Sequence, residues 1–264
     1  MVIMKHKILG RRGGYERLLT LFLLGLITLL LWSALASFYP SYILPSPLEV
    51  WARFQELIAK RGLLAQHFLV TLFEAFAGFL LGTAAALPLS YLLARHPRLD
   101  QLITPLVVAI QAIPIVALAP LLVIWFGFGL TSKVLIAALV AFFPVLTNGV
   151  VGLRETDPRL KELLVIMGAR KREIFFKLEV PSVLPVLFGG LRIGLTLSVI
   201  GAVVGEFSGA GKGLGYLVYF ARGVFDTPLI FVALIFLAAM GVGFYLFISF
   251  LEKVLMPWKD GEER

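Results

Sequence analysis

Three ionisable side chains stand inside long uncharged stretches of this sequence: Glu74, Arg192 and Glu206. A charge in an apolar membrane run costs roughly 3 kcal/mol on insertion scales, so such a residue has either a partner on a neighbouring helix or a part in a polar pathway. All three are therefore pathway or gating candidates, and helix-to-helix bonding is the competing reading for each. Arg192 can also reach a surface along its own stem. Other chemistry is scarce. The chain has no Cys, which excludes disulfides, thiolate catalysis and cysteine-held metals. His6, His67 and His96 lie far apart with no carboxylate at ligand spacing, so no metal site is expected. No His, Asp or Ser constellation has catalytic spacing, so no catalytic residue is expected. The stretch Gly209-Ala-Gly-Lys-Gly imitates a phosphate loop and fails on spacing. Glu206 stands where the first Gly belongs, and Gly213 stands where Ser or Thr would ligate magnesium. No ATPase site is expected in this chain.

The elements that must carry these residues are membrane helices. Of 264 residues, 59% are hydrophobic and 15% charged, with a mean hydropathy of +0.95. Soluble domains carry roughly a quarter charged residues, and a span needs about 20 apolar residues to cross the hydrocarbon layer. Apolar runs at 18–38, 68–94, 102–126, 134–153, 183–204 and 229–251 predict six spans in an all-α, polytopic membrane bundle. A tail at 1–17, a membrane domain at 18–256 and a second tail at 257–264 follow from these limits. The first run, with five basic residues before it and no small-x-small cleavage pattern after it, reads as an uncleaved span. Residues 45–66, opening on Pro-Ser-Pro and mixing Trp51, Phe54, Leu57 and Ile58 with charges, read as an amphipathic surface helix. Gly78 with Gly82, Gly190 with Gly194 and Gly201 with Gly205 stand four apart, as in closely packed membrane helices.

The basic residues set an orientation. With the amino terminus placed inside, seventeen of the 24 Lys and Arg fall on the inner side, and both termini are predicted to be cytoplasmic. The net charge of +8 is then topological, and nucleic acid is discounted as a partner.

The longest inner excursion, Arg154 to Pro185, reads RETDPRLKELLVIMGARKREIFFKLEVPSVLP. Asp157 before Pro158 is a helix start. Leu160, Leu163, Leu164 and Met167 then give a short amphipathic helix, and Gly168 ends it or admits a close neighbour. A second short helix is predicted over Arg170 to Leu178, with Pro181 and Pro185 restarting the chain into the fifth span.

Glu162, then Gly168 six residues on, then Leu178, Val180 and Pro181 follow the spacing E-A-A-x-x-x-G, nine residues, I-x-L-P. In this the chain resembles the inner-membrane permeases of binding-protein-dependent ATP-binding-cassette importers. Leu163 and Leu164 depart from the small residues usual there. TLFEAFAGFLLG, QAIPIVALAPLLVIWFGFGLTSK and GAVVGEFSGAGKGLGYL extend the resemblance along nearly the whole chain. They are similar to the branch handling nitrate, sulfonate, taurine, bicarbonate and pyrimidine or flavin precursors, closest to the permeases for vitamin-related heterocycles.

The resemblance implies a type I importer permease fold in the cytoplasmic membrane of a bacterium or archaeon. It implies a homodimeric pathway, two cytoplasmic ATPases that bind the ATP and magnesium, and an external solute-binding protein. This subunit itself would hold no cofactor. The segment Asp157 to Pro181 would be its coupling element, with Glu162, Gly168, Ala169, Arg170 and Pro181 near the ATPase. The competing readings are a secondary transporter, which would show interrupted half-helices at the midplane instead of such a loop, a membrane enzyme and a channel.

Overall fold

The computed structural model describes residues 13–59, 62–209 and 211–257, and among them all regular structure is helical. Most of the two expected tails, at 1–12 and 258–264, lies outside the described residues. The chain divides into two compact units, residues 1–61 with 221–232, and residues 62–220 with 233–264.

The first unit holds α1 (Gly13–Ala36) and α2 (Pro47–Ala59). Its first helix exposes apolar side chains on every side, with Phe22 at 67% and Leu30 at 60%, as suits apolar surroundings. The second starts on a reciprocal cap. Ser46 N–H donates to Glu49 Oε2 at 2.7 Å, and Glu49 N–H donates to Ser46 Oγ at 3.3 Å. Val50 and Leu57 are buried while Leu48, Trp51 and Ile58 are exposed, so the helix is amphipathic. Arg53 bonds Glu56 and Asp226, each at 2.5 Å. Burial works against its charge, yet these two carboxylates hold the guanidinium above its ordinary range. Trp32 stacks on Phe231 at 5.2 Å and donates its indole N–H to the Pro45 carbonyl at 2.9 Å.

The second unit is built on α3 (Leu63–Arg95), α6 (Leu130–Arg154) and α9 (Val180–Phe207). Small residues let these three approach backbone to backbone. A methyl group placed on Gly201 would stand 2.6 Å from Ala137 Cα, and one on Gly190 would stand 2.7 Å from the Pro144 carbonyl oxygen. Ala75, Ala86, Ala137, Ala141 and Ala202 are fully buried between them. Around this seam lie α4 (Pro97–Gln111) and α5 (Ile115–Phe126), the latter seated through Ala119 on Ile136 and Val204. Next come α7 (Pro158–Ile166) and α8 (Lys171–Ile174); α10 (Leu214–Gly223) and α11 (Thr227–Leu255) contribute to both units. Within the second unit Phe76 meets Phe244 of α11 at 6.4 Å, and Phe68 meets Phe236 at 6.1 Å.

Among the described residues five helices are long and apolar enough to span a bilayer, and a bent pair makes a sixth crossing if it counts as one. That pair corrects one expectation. The run 102–126 is not one straight helix: α4 and α5 meet at 97°. Pro114 has no N–H to continue the ladder and pushes Ile113 out of the helical region. A second correction concerns Arg170 to Leu178. These residues do not form a separate helix, because α8 continues through a π-helical turn, Phe175–Glu179, directly into α9. Pro181 follows directly after the π turn and removes one N–H from the continuous ladder there.

Gly201→Val would drive a branched side chain into the Ala137 backbone. We expect a loss of about 1–3 kcal/mol, read as a lower thermal unfolding midpoint of the detergent-solubilised protein. Gly25→Val, at a glycine with open space around it, should leave the midpoint unchanged.

Candidate functional site

Asp157, in extended conformation, accepts the Arg159 N–H at 2.8 Å, and Pro158 occupies the first helical position, so α7 starts as its sequence dictates. It ends in a Schellman turn: Ala169 N–H donates to the Leu164 carbonyl at 2.9 Å and Gly168 N–H to Val165 at 3.0 Å. Gly168 sits at φ +81° with nothing near its α-carbon, so it serves the turn and not a close approach. No residue of α7 is buried. Leu163, Val165, Ile166 and Met167 are all exposed, Ile166 at 82%, which makes an apolar end on an otherwise charged segment. Glu162 and Arg170 are exposed beside it; Ala169 and Pro181 are half-buried.

This exposed segment is tied to the helices behind it by one carboxylate. Glu179, almost fully buried, receives Arg95 at 2.5 Å and Lys161 at 3.2 Å. The ion group therefore joins α7, the π turn before α9, and the end of α3. Arg154 at the end of α6 meets Asp100 of α4 at 2.8 Å. Sequence reasoning missed Glu179 and Arg95, although a lone acid between Leu178 and Val180 at the edge of an apolar run is a signal for such a partner.

At the opposite ends of α3 and α9 lies a second polar cluster. The first turn of α10 has four amides without helical partners, and each finds a side chain from another helix. Gly213 N–H donates to His67 Nδ1 at 2.9 Å and Leu214 N–H to Thr71 Oγ1 at 2.7 Å. Gly215 N–H donates to Glu206 Oε2 at 2.5 Å and Tyr216 N–H to the same oxygen at 3.3 Å. Thr71 in turn donates to Glu206 Oε1 at 2.6 Å. His67 Nδ1 also lies 3.1 Å from the Gly213 carbonyl oxygen, so this ring nitrogen meets both polar groups of that one residue. Glycines are required at the mouth of this socket, since a methyl on Gly215 would stand 2.7 Å from Glu206 Oε2. One turn deeper, Glu74 pairs with Lys133 at 2.7 Å, and Glu74 and Glu206 are both 1% exposed. The socket residues His67 and Thr71, together with Glu74, share a stripe at helical spacing on α3; that stripe was the available sign.

Arg192 is engaged elsewhere. Its guanidinium bonds Glu252 and lies 5.0 Å from the Tyr245 ring centre, so it links α9 to α11. The structure thus brings Glu74 and Glu206 near one another and leaves Arg192 apart from both. Among the described residues no group of three or more His, Asp or Glu could hold a metal.

Helices packed through small residues, buried charges met by partners on neighbouring helices and one exposed helical excursion define a polytopic helical membrane protein. The chain belongs to the inner membrane components of binding-protein-dependent transport systems, whose family model matches residues 78–260. It is 49% identical to the riboflavin transport system permease protein of Chloroflexus aurantiacus, over 89% of this chain and 88% of that one. It is 40% identical to the formylaminopyrimidine transport permease protein of Halalkalibacterium halodurans, over 83% and 86%. Among solved structures, an inward-facing form of the MetNI methionine ABC transporter superposes with a TM-score of 0.64 at 22% identity, covering 74% of this chain and 96% of that one. The chain is accordingly the permease subunit of an ABC importer, a membrane channel component and not an enzyme.

Glu206→Leu would leave the Gly215 and Tyr216 amides without an acceptor, at a cost of about 1–3 kcal/mol. Hydrogen exchange at residues 213–216 is expected to accelerate about tenfold or more, while exchange in the middle of α6 stays as it was.

Proposed function

We propose that this permease lines one half of a pathway for a flavin- or pyrimidine-type heterocycle and is driven through the segment Asp157 to Pro181 by cytoplasmic ATPases. Two copies pair to enclose the pathway, an external binding protein delivers the solute, and both chain termini lie in the cytoplasm. ATP and magnesium are held by the ATPases; this subunit contributes no cofactor and no nucleotide site. The cargo rests on the two relatives, whose names specify riboflavin and formylaminopyrimidine transport.

The observation that carries the coupling reading is the combination of an exposed apolar end on α7 with a charged tether behind it. Leu163, Ile166 and Met167 offer a partner an apolar surface, and Glu162, Ala169 and Arg170 border it. Lys161, Glu179 and Arg95 carry any displacement of that surface to α3 and α9. Glu74, Glu206 and Arg192 we assign to holding helices in place, because each meets a protein partner.

Ile166→Asp puts a charge into the proposed contact without touching the core. The variant should fold and reach the membrane normally yet lose copurifying ATPase by about thirtyfold, the scale of a central interface residue. Unchanged ATPase capture and unchanged uptake would refute the contact. Uptake that persists when the ATPase is disabled would instead support a secondary transporter.

A further inference from the structure

We propose that the break between α4 and α5 is where the transported heterocycle is read, through Gln111 and the carbonyl groups freed around it; this rests on the cargo reading above. The argument begins with a constraint. Irregular backbone at membrane depth persists only where it is buried in protein or faces a water-filled cavity, since lipid offers no hydrogen-bond partner. Residues 112–114 break the helix at the centre of the uncharged run 102–126. Yet α4 has no buried residue at all.

The break leaves acceptors behind. Ile113 N–H turns to the Ile110 carbonyl at 3.1 Å and so leaves the Ala109 carbonyl it would meet in a continued helix, while Pro114 has no N–H to offer. Across from it, Pro144 inside α6 removes the donor that the Val140 carbonyl would otherwise meet. Gln111 is exposed, and among the described residues its amide has no partner. Gln111, Pro114, Val140, Phe143 and Pro144 line one cavity of 240 Å³, closed on another side by Leu197. Its walls are apolar apart from the Gln111 amide and backbone, with an aromatic ring, Phe143, on the α6 side.

That composition suits a planar ring whose edge alternates N–H and C=O groups. A primary amide offers two donors and one acceptor, and the Val140 carbonyl can accept a ring N–H group. Apolar walls with a few placed polar groups are the usual make-up of small-molecule sites, but such sites run from roughly 300 Å³ upward. The cavity falls short of that, and on the two-copy reading proposed above the second copy supplies the rest of the site.

The chain has no Cys, so Gln111→Cys introduces its sole thiol. The complete importer, with ATPase and binding protein, would be reconstituted in proteoliposomes. A charged methanethiosulfonate reagent should label Gln111→Cys, and transported riboflavin should slow the labelling. In the same system Gln111→Leu should raise the KM for riboflavin uptake about tenfold and abolish discrimination against riboflavin methylated at its ring imide nitrogen. ATPase binding and solute-free ATP hydrolysis should not change. Wild-type uptake combined with an unlabelled Gln111→Cys, or with a Gln111→Leu variant of unaltered KM and discrimination, would overturn this inference alone. A wild-type importer that takes up neither riboflavin nor formylaminopyrimidine would overturn the cargo reading and the heterocycle assignment with it.

Discussion

A polar backbone group surrounded by hydrocarbon has no water to fall back on, and that constraint organises most of what this chain does with its few polar side chains. Where a helix starts inside the protein, as α10 does, its free amides are met from elsewhere. His67, Thr71 and Glu206 take the four donors of that first turn. Glu206 is thus a helix cap supplied from another part of the chain, its carboxyl group taking the Gly215 and Tyr216 amides.

The same pair of helices is fastened twice. Thr71 of α3 bonds Glu206 near the end of α9, while Arg95 at the end of α3 bonds Glu179 just before α9. The two helices therefore run antiparallel, pinned at both ends. Fully buried alanines and glycines fill the seam that α6 shares with them. A contact made from backbone and methyl groups has few alternative rotamers, so this part of the molecule resists internal deformation.

Much of this was legible in the sequence because hydropathy reports directly on the solvent. The apolar runs gave the membrane helices, the four-residue glycine spacing gave the close approaches, and Asp157-Pro158 with Gly168 gave both ends of α7. Glu162 and Gly168 also carried the family resemblance. The break at Pro114 was not anticipated because proline inside a membrane run is often tolerated; only the neighbouring packing decides between a kink and a bend of 97°. Nor was the π turn before α9 foreseen, since one extra residue in a helical turn leaves no compositional trace. Partners such as Lys133 for Glu74, 59 residues apart, belong to tertiary structure, and no local pattern names them.

The continuity of α8, the π turn and α9 sets a mechanical scale. Lys171 to Phe207 is 37 residues of uninterrupted helix, which at 1.5 Å per residue is roughly 55 Å. The hydrocarbon layer is roughly 30 Å thick, so a large fraction of this rod projects beyond it. Because α9 is pinned to α3 at both ends, a sideways force on the projecting end acts as a torque on the packed helices together and not on one helix alone. The π turn in that rod ends on Glu179, so the rod is fastened to Arg95 and Lys161 at that point along its length.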